Sequence, residues 1–197
     1  MRIIYFFAIL LTIMGFVAGS LFAASMFDEA LGAYNSKNYS KAAEIFLREA
    51  NRGNIRAQFS IGYMYDNGQG VPQDYNEAIK WYRLAADQGD AQAQNNLGVL
   101  YYSGHGIPQN YQEAAKLYRL AATQGIVQAQ GNLGLMYLMG QGMPEDFVEA
   151  YAWFAVAAEN GDENSRNNME LIIINMTPSQ LEKAQELAKE YFTKTGK

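Results

Sequence analysis

The chain has 197 residues, enough for one domain of ordinary size, and its 49% apolar and 18% charged residues are the composition of a packed protein rather than a disordered one. A net charge of −5, with no block of like charge, argues against a nucleic-acid partner, because phosphate backbones require clustered Lys and Arg. With no Cys, no disulfide or thiolate site can be built, and with one His no metal or cofactor is expected.

Residues 3–24 carry no charge, run as a largely apolar stretch from Ile3 through Val17, and end in Gly19-Ser20-Leu21-Phe22-Ala23-Ala24. With Arg2 as a short positive start, residues 1–25 are expected to be a secretory signal peptide, cleaved after Ser20, Ala23 or Ser25. The alternative is an uncleaved N-terminal anchor, since the stretch is long enough to span a bilayer. Either way Arg2 favours a cytoplasmic start, with the rest of the chain periplasmic or secreted and any membrane contact confined to this segment.

Residues 26–54 read as a first helical hairpin, in which Tyr39, Ala42 and Phe46 lie 36 positions before Tyr75, Ala78 and Tyr82. Three full units follow over residues 55–162. Gly62, Gly98 and Gly134 keep the same step of 36, as do Tyr65, Tyr101 and Tyr137, and also Ala85, Ala121 and Ala157. A fixed period in this range marks stacked supersecondary units.

Each unit is expected to be two helices. In the first, Ala57, Ile61, Met64 and Tyr65 have helical spacing, Gly68 stops the helix, and Gly70 lets the loop adopt a positive φ before Pro72. Asp74 with Glu77, Asn110 with Glu113, and Asp146 with Glu149 form capping boxes that start the second helices, each N-cap contributing on the order of 1 kcal/mol. Gly89, Gly125 and Gly161 end them. A Gly in mid-helix at 62, 98 and 134 suggests that two backbones approach closely there. Trp81, Leu117 and Trp153 are the large residues filling the gaps between Ala-rich faces.

Residues 163–197 begin as a partial unit. Leu171–Ile174 could be a strand, but helix fits the repeat register. Thr177-Pro178-Ser179-Gln180 then opens a last helix with an apolar stripe (Leu181, Ala184, Leu187, Ala188, Tyr191) and a polar face (Lys183, Glu186, Lys189, Glu190), the pattern of a terminal cap on an open stack.

Leu97-Gly98-Val99-Leu100-Tyr101, Gly104-His105-Gly106-Ile107-Pro108-Gln109-Asn110-Tyr111, Glu113-Ala114 and Ala121-Ala122-Thr123-Gln124-Gly125 resemble the Sel-one-like repeat, a relative of the tetratricopeptide repeat. The resemblance covers about residues 26–176, and the first hairpin looks closer to a plain tetratricopeptide unit. It implies an all-α fold: an α-solenoid of stacked antiparallel helical hairpins, a tetratricopeptide-like right-handed superhelix with a C-terminal capping helix. It also implies a scaffold whose concave surface, lined by first helices, binds a protein or peptide. Secreted bacterial members are implicated in envelope assembly, motility and host contact, so a secreted host-interaction factor is an alternative. Cysteine-rich members described as penicillin-binding or β-lactamase-like suggest a cell-wall or β-lactam hydrolase, but their cysteines are missing here.

Positions that vary between units while sharing one helix face are free for recognition. They are Phe59, Tyr63 and Asp66 in the first full unit, Asn95, Val99 and Tyr102 in the second, and Gly131, Leu135 and Leu138 in the third, with Arg56, Gln92 and Gln128 extending the stripe. In the tetratricopeptide pattern these are the concave contacts. The stripe is apolar enough to be a partner groove, although the same residues could instead fill space between units.

No enzyme motif stands out, and no small-molecule substrate is expected. His105 sits in a Gly-flanked loop, Gly68-x-Gly70 follows a helix rather than a strand, and capping accounts for the three recurrent glutamates.

Overall fold

The computed structural model describes residues 26–195, so the expected signal peptide lies outside the described residues. Every regular element among them is helical. Helix α1 covers 26–35. It is followed by α2 (Tyr39–Asn51), α3 (Ile55–Asn67), α4 (Tyr75–Asp87), α5 (Ala91–Ser103) and α6 (Tyr111–Thr123). Then come α7 (Val127–Met139), α8 (Phe147–Glu159), α9 (Glu163–Ile172), a 3₁₀ turn (Ile173–Asn175) and α10 (Pro178–Thr195). Two 13-residue helices, a seven-residue loop and a three-residue turn make up each 36-residue step. The Leu171–Ile174 run is helical as expected, passing from α9 into the 3₁₀ turn.

The chain divides within α4 into two compact units, one ending at Trp81 and the other beginning at Tyr82. In the first, α2 packs on α3 over a core that includes Phe27, Phe46, Ile61, Met64 and Trp81. In the second, each helix from α5 to α9 packs on the next in sequence, which is the stacked-hairpin arrangement. Its core holds Tyr118, Leu133, Met136, Trp153 and Phe154. Ala121 and Ala157 are wholly buried, as is Ala85.

The second helices start where the caps were placed. Asp74 Oδ1 accepts the N–H of Glu77 at 3.2 Å, Asn110 that of Glu113 at 3.1 Å, and Asp146 that of Glu149 at 3.1 Å. The reciprocal half of the expected box is not made. The N-cap N–H groups of Asp74, Asn110 and Asp146 donate instead to the carbonyls of Tyr65, Tyr101 and Tyr137, 2.9–3.0 Å away. The fold's own loop satisfies these donors, which leaves the glutamates for other partners. A complete box does form at α10: Gln180 N donates to Thr177 Oγ1 at 3.3 Å, and Thr177 N donates to Gln180 Oε1 at 2.9 Å.

The recurrent mid-helix glycines also differ from expectation. Gly62, Gly98 and Gly134 are buried, but what presses on the latter two is an aromatic ring rather than a backbone. A Cβ on Gly98 would lie 2.9 Å from the Tyr118 ring, and one on Gly134 would lie 2.7 Å from Phe154. The loop glycines supply the backbone approach. Gly70 (φ 73°) and Gly142 (φ 75°) abut the backbones of Tyr39 and Tyr111, where any side chain would collide.

Buried glutamines lock each first helix to the helix before it. Nε2 of Gln58, Gln94 and Gln130 donates to the carbonyls of Ala50, Ala86 and Ala122 at 3.3, 3.2 and 3.2 Å. Arg166 fills the same slot in α9, reaching Ala158 O at 3.2 Å. A buried carbonyl without such a partner would cost about 1–3 kcal/mol.

Helix α10 packs mainly on α8 and reaches α6. It runs in the same direction as α8: Ser179, Gln180 and Lys183 lie beside the start of α8, and Lys189 and Phe192 beside its end. Ala184 is fully buried, Leu181, Leu187, Ala188 and Tyr191 are half-buried, and Lys183, Glu186, Lys189 and Glu190 face water. This is the capping helix the sequence pattern predicts.

Candidate partner-binding groove

In the first unit the varying stripe forms one surface. Arg56 is exposed, with its guanidinium 4.3 Å above the Phe27 ring. Phe59 and Asp66 are half-buried, and Tyr63 is 36% exposed. The Phe59 and Tyr63 rings lie 6.4 Å apart. Together with Leu31, Tyr34, Phe46 and Ser60 they line an apolar pocket of about 270 Å³ between α1 and α3, floored by α2. The Tyr34 hydroxyl donates to Gln69 Oε1 at 2.7 Å, which fixes that wall, and burial pushes its phenol above the ordinary range.

Leu31, Tyr34 and Phe46 are absent from the stripe read in the sequence. The signal was present in a different register. Because the α1–α2 loop is four residues shorter than the later ones, α1 aligns with α3 at a step of 32 rather than 36. That step places Ala30 on Gly62, Leu31 on Tyr63 and Tyr34 on Asp66, so the stripe continues into α1.

In the second unit the stripe is used differently. Gln92 and Gln128 are exposed and Val99 is 40% exposed. Tyr102, Leu135 and Leu138 are half-buried and pack against the core, with the Tyr102 ring 5.3 Å from that of Tyr111. Asn95 and Gly131 are buried. Asn95 donates to Asn96 Oδ1 at 3.1 Å, and a Cβ on Gly131 would meet Ser165 Oγ at 2.9 Å and the Asp162 carboxylate at 3.2 Å. The start of α9 therefore covers that slot.

The recurrent tyrosines are tied on the opposite side, among the second helices. Arg83 Nη2 donates to the Tyr101 hydroxyl at 3.1 Å, and Arg119 Nη2 donates to that of Tyr137 at 2.6 Å. Tyr65 is half-buried. In the last full repeat the Tyr191 ring of α10 stacks on Trp153 with centroids 4.4 Å apart, and its hydroxyl donates to the two Glu149 carboxylate oxygens at 3.0 and 3.2 Å. Burial first, then the Glu149 charge, holds that phenol protonated well above its ordinary range. His105 is exposed in its loop.

The Sel1 repeat family model matches residues 55–90, 91–126 and 127–162, the three units read from the 36-residue step. Among solved structures, a Sel1 repeat protein from Oxalobacter formigenes is 38% identical over 73% of this chain and 59% of its own, with a TM-score of 0.69. The protein c5321, a protective antigen present in uropathogenic Escherichia coli strains and displaying an SLR fold, is 30% identical over 79% of this chain and 41% of its own, with a TM-score of 0.57. This chain spans less than two thirds of the length of either. No curated protein matches it. Sel1 repeats generally serve as scaffolds for protein–protein interaction. With three matched repeats in register and the stacked-hairpin fold of those relatives, the chain belongs to the Sel1 repeat family.

Proposed function

We propose that the protein is an extracytoplasmic interaction scaffold that holds a peptide or protein partner on the face formed by its first helices, centred on the pocket between α1 and α3. The observation that carries this reading is the pocket's lining. Two successive first helices present apolar and aromatic residues at the variable slots, and Tyr63 remains open to water in a unit whose core is closed without it. The extracytoplasmic address rests on the uncharged stretch 3–24 behind Arg2.

The test compares the natural protein with Tyr63→Ala and Phe59→Ala, measuring partner capture and thermal melting side by side. Both variants are expected to lose the partner, with Tyr63→Ala keeping its melting temperature. A large loss of stability in Tyr63→Ala with unchanged capture would make the stripe a core element and end the groove reading. Fractionation with protease accessibility of intact cells tests the address, which fails if the repeat region stays protected in the cytoplasm.

A further inference from the structure

The groove between second helices recurs along the chain, and in one copy the fold shows what it accepts. Tyr191 sits among Arg119, Tyr137, Glu149 and Trp153, stacked on the indole and hydrogen-bonded to the carboxylate. Seventy-two positions earlier the same slots hold Leu47, Tyr65, Glu77 and Trp81, the other tryptophan of the chain. All four line an open groove of about 510 Å³ in the first unit, between α2 and α4. It shares no lining residue with the α1–α3 pocket.

The carboxylates of the two grooves are used differently. In the last repeat Glu149 accepts the Tyr191 hydroxyl, while the buried Trp153 Nε1 has no hydrogen-bond partner. In the first unit Trp81 Nε1 donates to Glu77 Oε2 at 3.1 Å. Lys80, where the last repeat has Ala152, pairs with the same carboxylate at 3.1 Å and lies 5.1 Å over the indole. That ion pair is exposed and therefore weak, so Lys80 can swing aside at small cost. Trp81 is only 4% exposed, with Lys80 over the ring, so a tyrosine reaches the indole only after Lys80 moves off it. The middle copy has Leu117 at the tryptophan slot, is bridged by the Arg83–Tyr101 hydrogen bond, and encloses only about 170 Å³.

We propose that the groove lined by Tyr65, Glu77 and Trp81 binds a tyrosine presented on an amphipathic helix of a partner protein. The ring would lie against Trp81, and the hydroxyl would donate to Glu77 once Lys80 is displaced. Helix α10 is the template for such a ligand: an amphipathic helix that turns Tyr191 into the groove while Glu190 faces water. Aromatic stacking and a charge-assisted hydrogen bond are the two interactions that would be read. This site is independent of the first-helix pocket, and neither reading requires the other.

The probe is a synthetic peptide of residues 177–195, titrated into the full-length protein while the two indole N–H resonances are followed by NMR and assigned with Trp81→Phe. The expected result is a saturable shift of the Trp81 indole signal that weakens roughly tenfold with the Tyr191→Ala form of the peptide. In the protein, Trp81→Leu installs the residue the middle repeat already tolerates and should abolish binding. If that variant does not fold, the peptide pair still decides. An unmoved Trp81 signal, an equal shift with the Tyr191→Ala peptide, or a change confined to Trp153 would each overturn the proposal, the last showing mere exchange with the protein's own α10.

Discussion

The same stripe of first-helix positions is an open aromatic pocket in the first unit and a half-filled surface in the second. Phe59 and Tyr63 stand beside Leu31 and Tyr34 around unfilled space, whereas Asn95 and Gly131, at the slot of Phe59, are buried. The backbones of α3, α5 and α7 are alike, each 13 residues long with the same glutamine lock to the preceding helix. The difference lies in the side chain placed at each slot and in what packs over it. A repeat frame thus separates two tasks. Invariant positions hold the stack, and variable ones decide whether a given face is open or closed.

Substitutions in the shared frame should have the largest effects. Gly134→Val forces methyl groups into the Phe154 ring and should cost about 3 kcal/mol, seen as a lower melting temperature; a wild-type melt would mean that the ring contact does not define the frame. Next, Tyr191→Ala removes a stacked ring and a hydrogen bond to a carboxylate, with an expected loss of about 2 kcal/mol in chemical denaturation. Asp146→Ala removes the α8 cap and should cost about 1 kcal/mol, measurable in the same way. Tyr63→Ala and Val99→Ala sharpen the contrast between units. Both residues are open to water, so each should change stability by less than about 0.5 kcal/mol, but only the former should lose the partner.

The smallest effect is set by pH. The phenols of Tyr118, Tyr137 and Tyr191 are all held above the ordinary 10.0, chiefly by burial. The folded state thus keeps protons that the unfolded state releases. Their contribution is complete below about pH 10 and declines as pH rises beyond it. Melting temperatures should show no tyrosine-linked slope below about pH 9, and Tyr191→Phe should flatten the alkaline fall.

Much of the fold was legible because small and turn-forming residues recur in phase. Gly62, Gly98 and Gly134, the second-helix caps and the Thr177–Gln180 box fix helix ends and packing faces through local chemistry. The glutamine lock is not legible in the sequence although Gln58, Gln94 and Gln130 keep the step of 36, because a polar residue at helical spacing does not by itself reveal that it is buried. The capping glutamates show their position in the sequence but not their partners, because Trp81 for Glu77 and Tyr191 for Glu149 are distant or stand off the box pattern. Leu31 and Tyr34 do not show at the step of 36 because one short loop sets their step at 32.

The period, the helix ends, the family and the terminal cap are legible in the residues alone, since each depends on residues within a few positions of one another or on repetition in a fixed phase. Which members of the variable stripe face water, and which groove is open among the described residues while another holds a tyrosine, follow from the packing alone. Those outcomes depend on side chains from helices far apart in the chain competing for the same volume, and spacing along the chain carries no record of that competition.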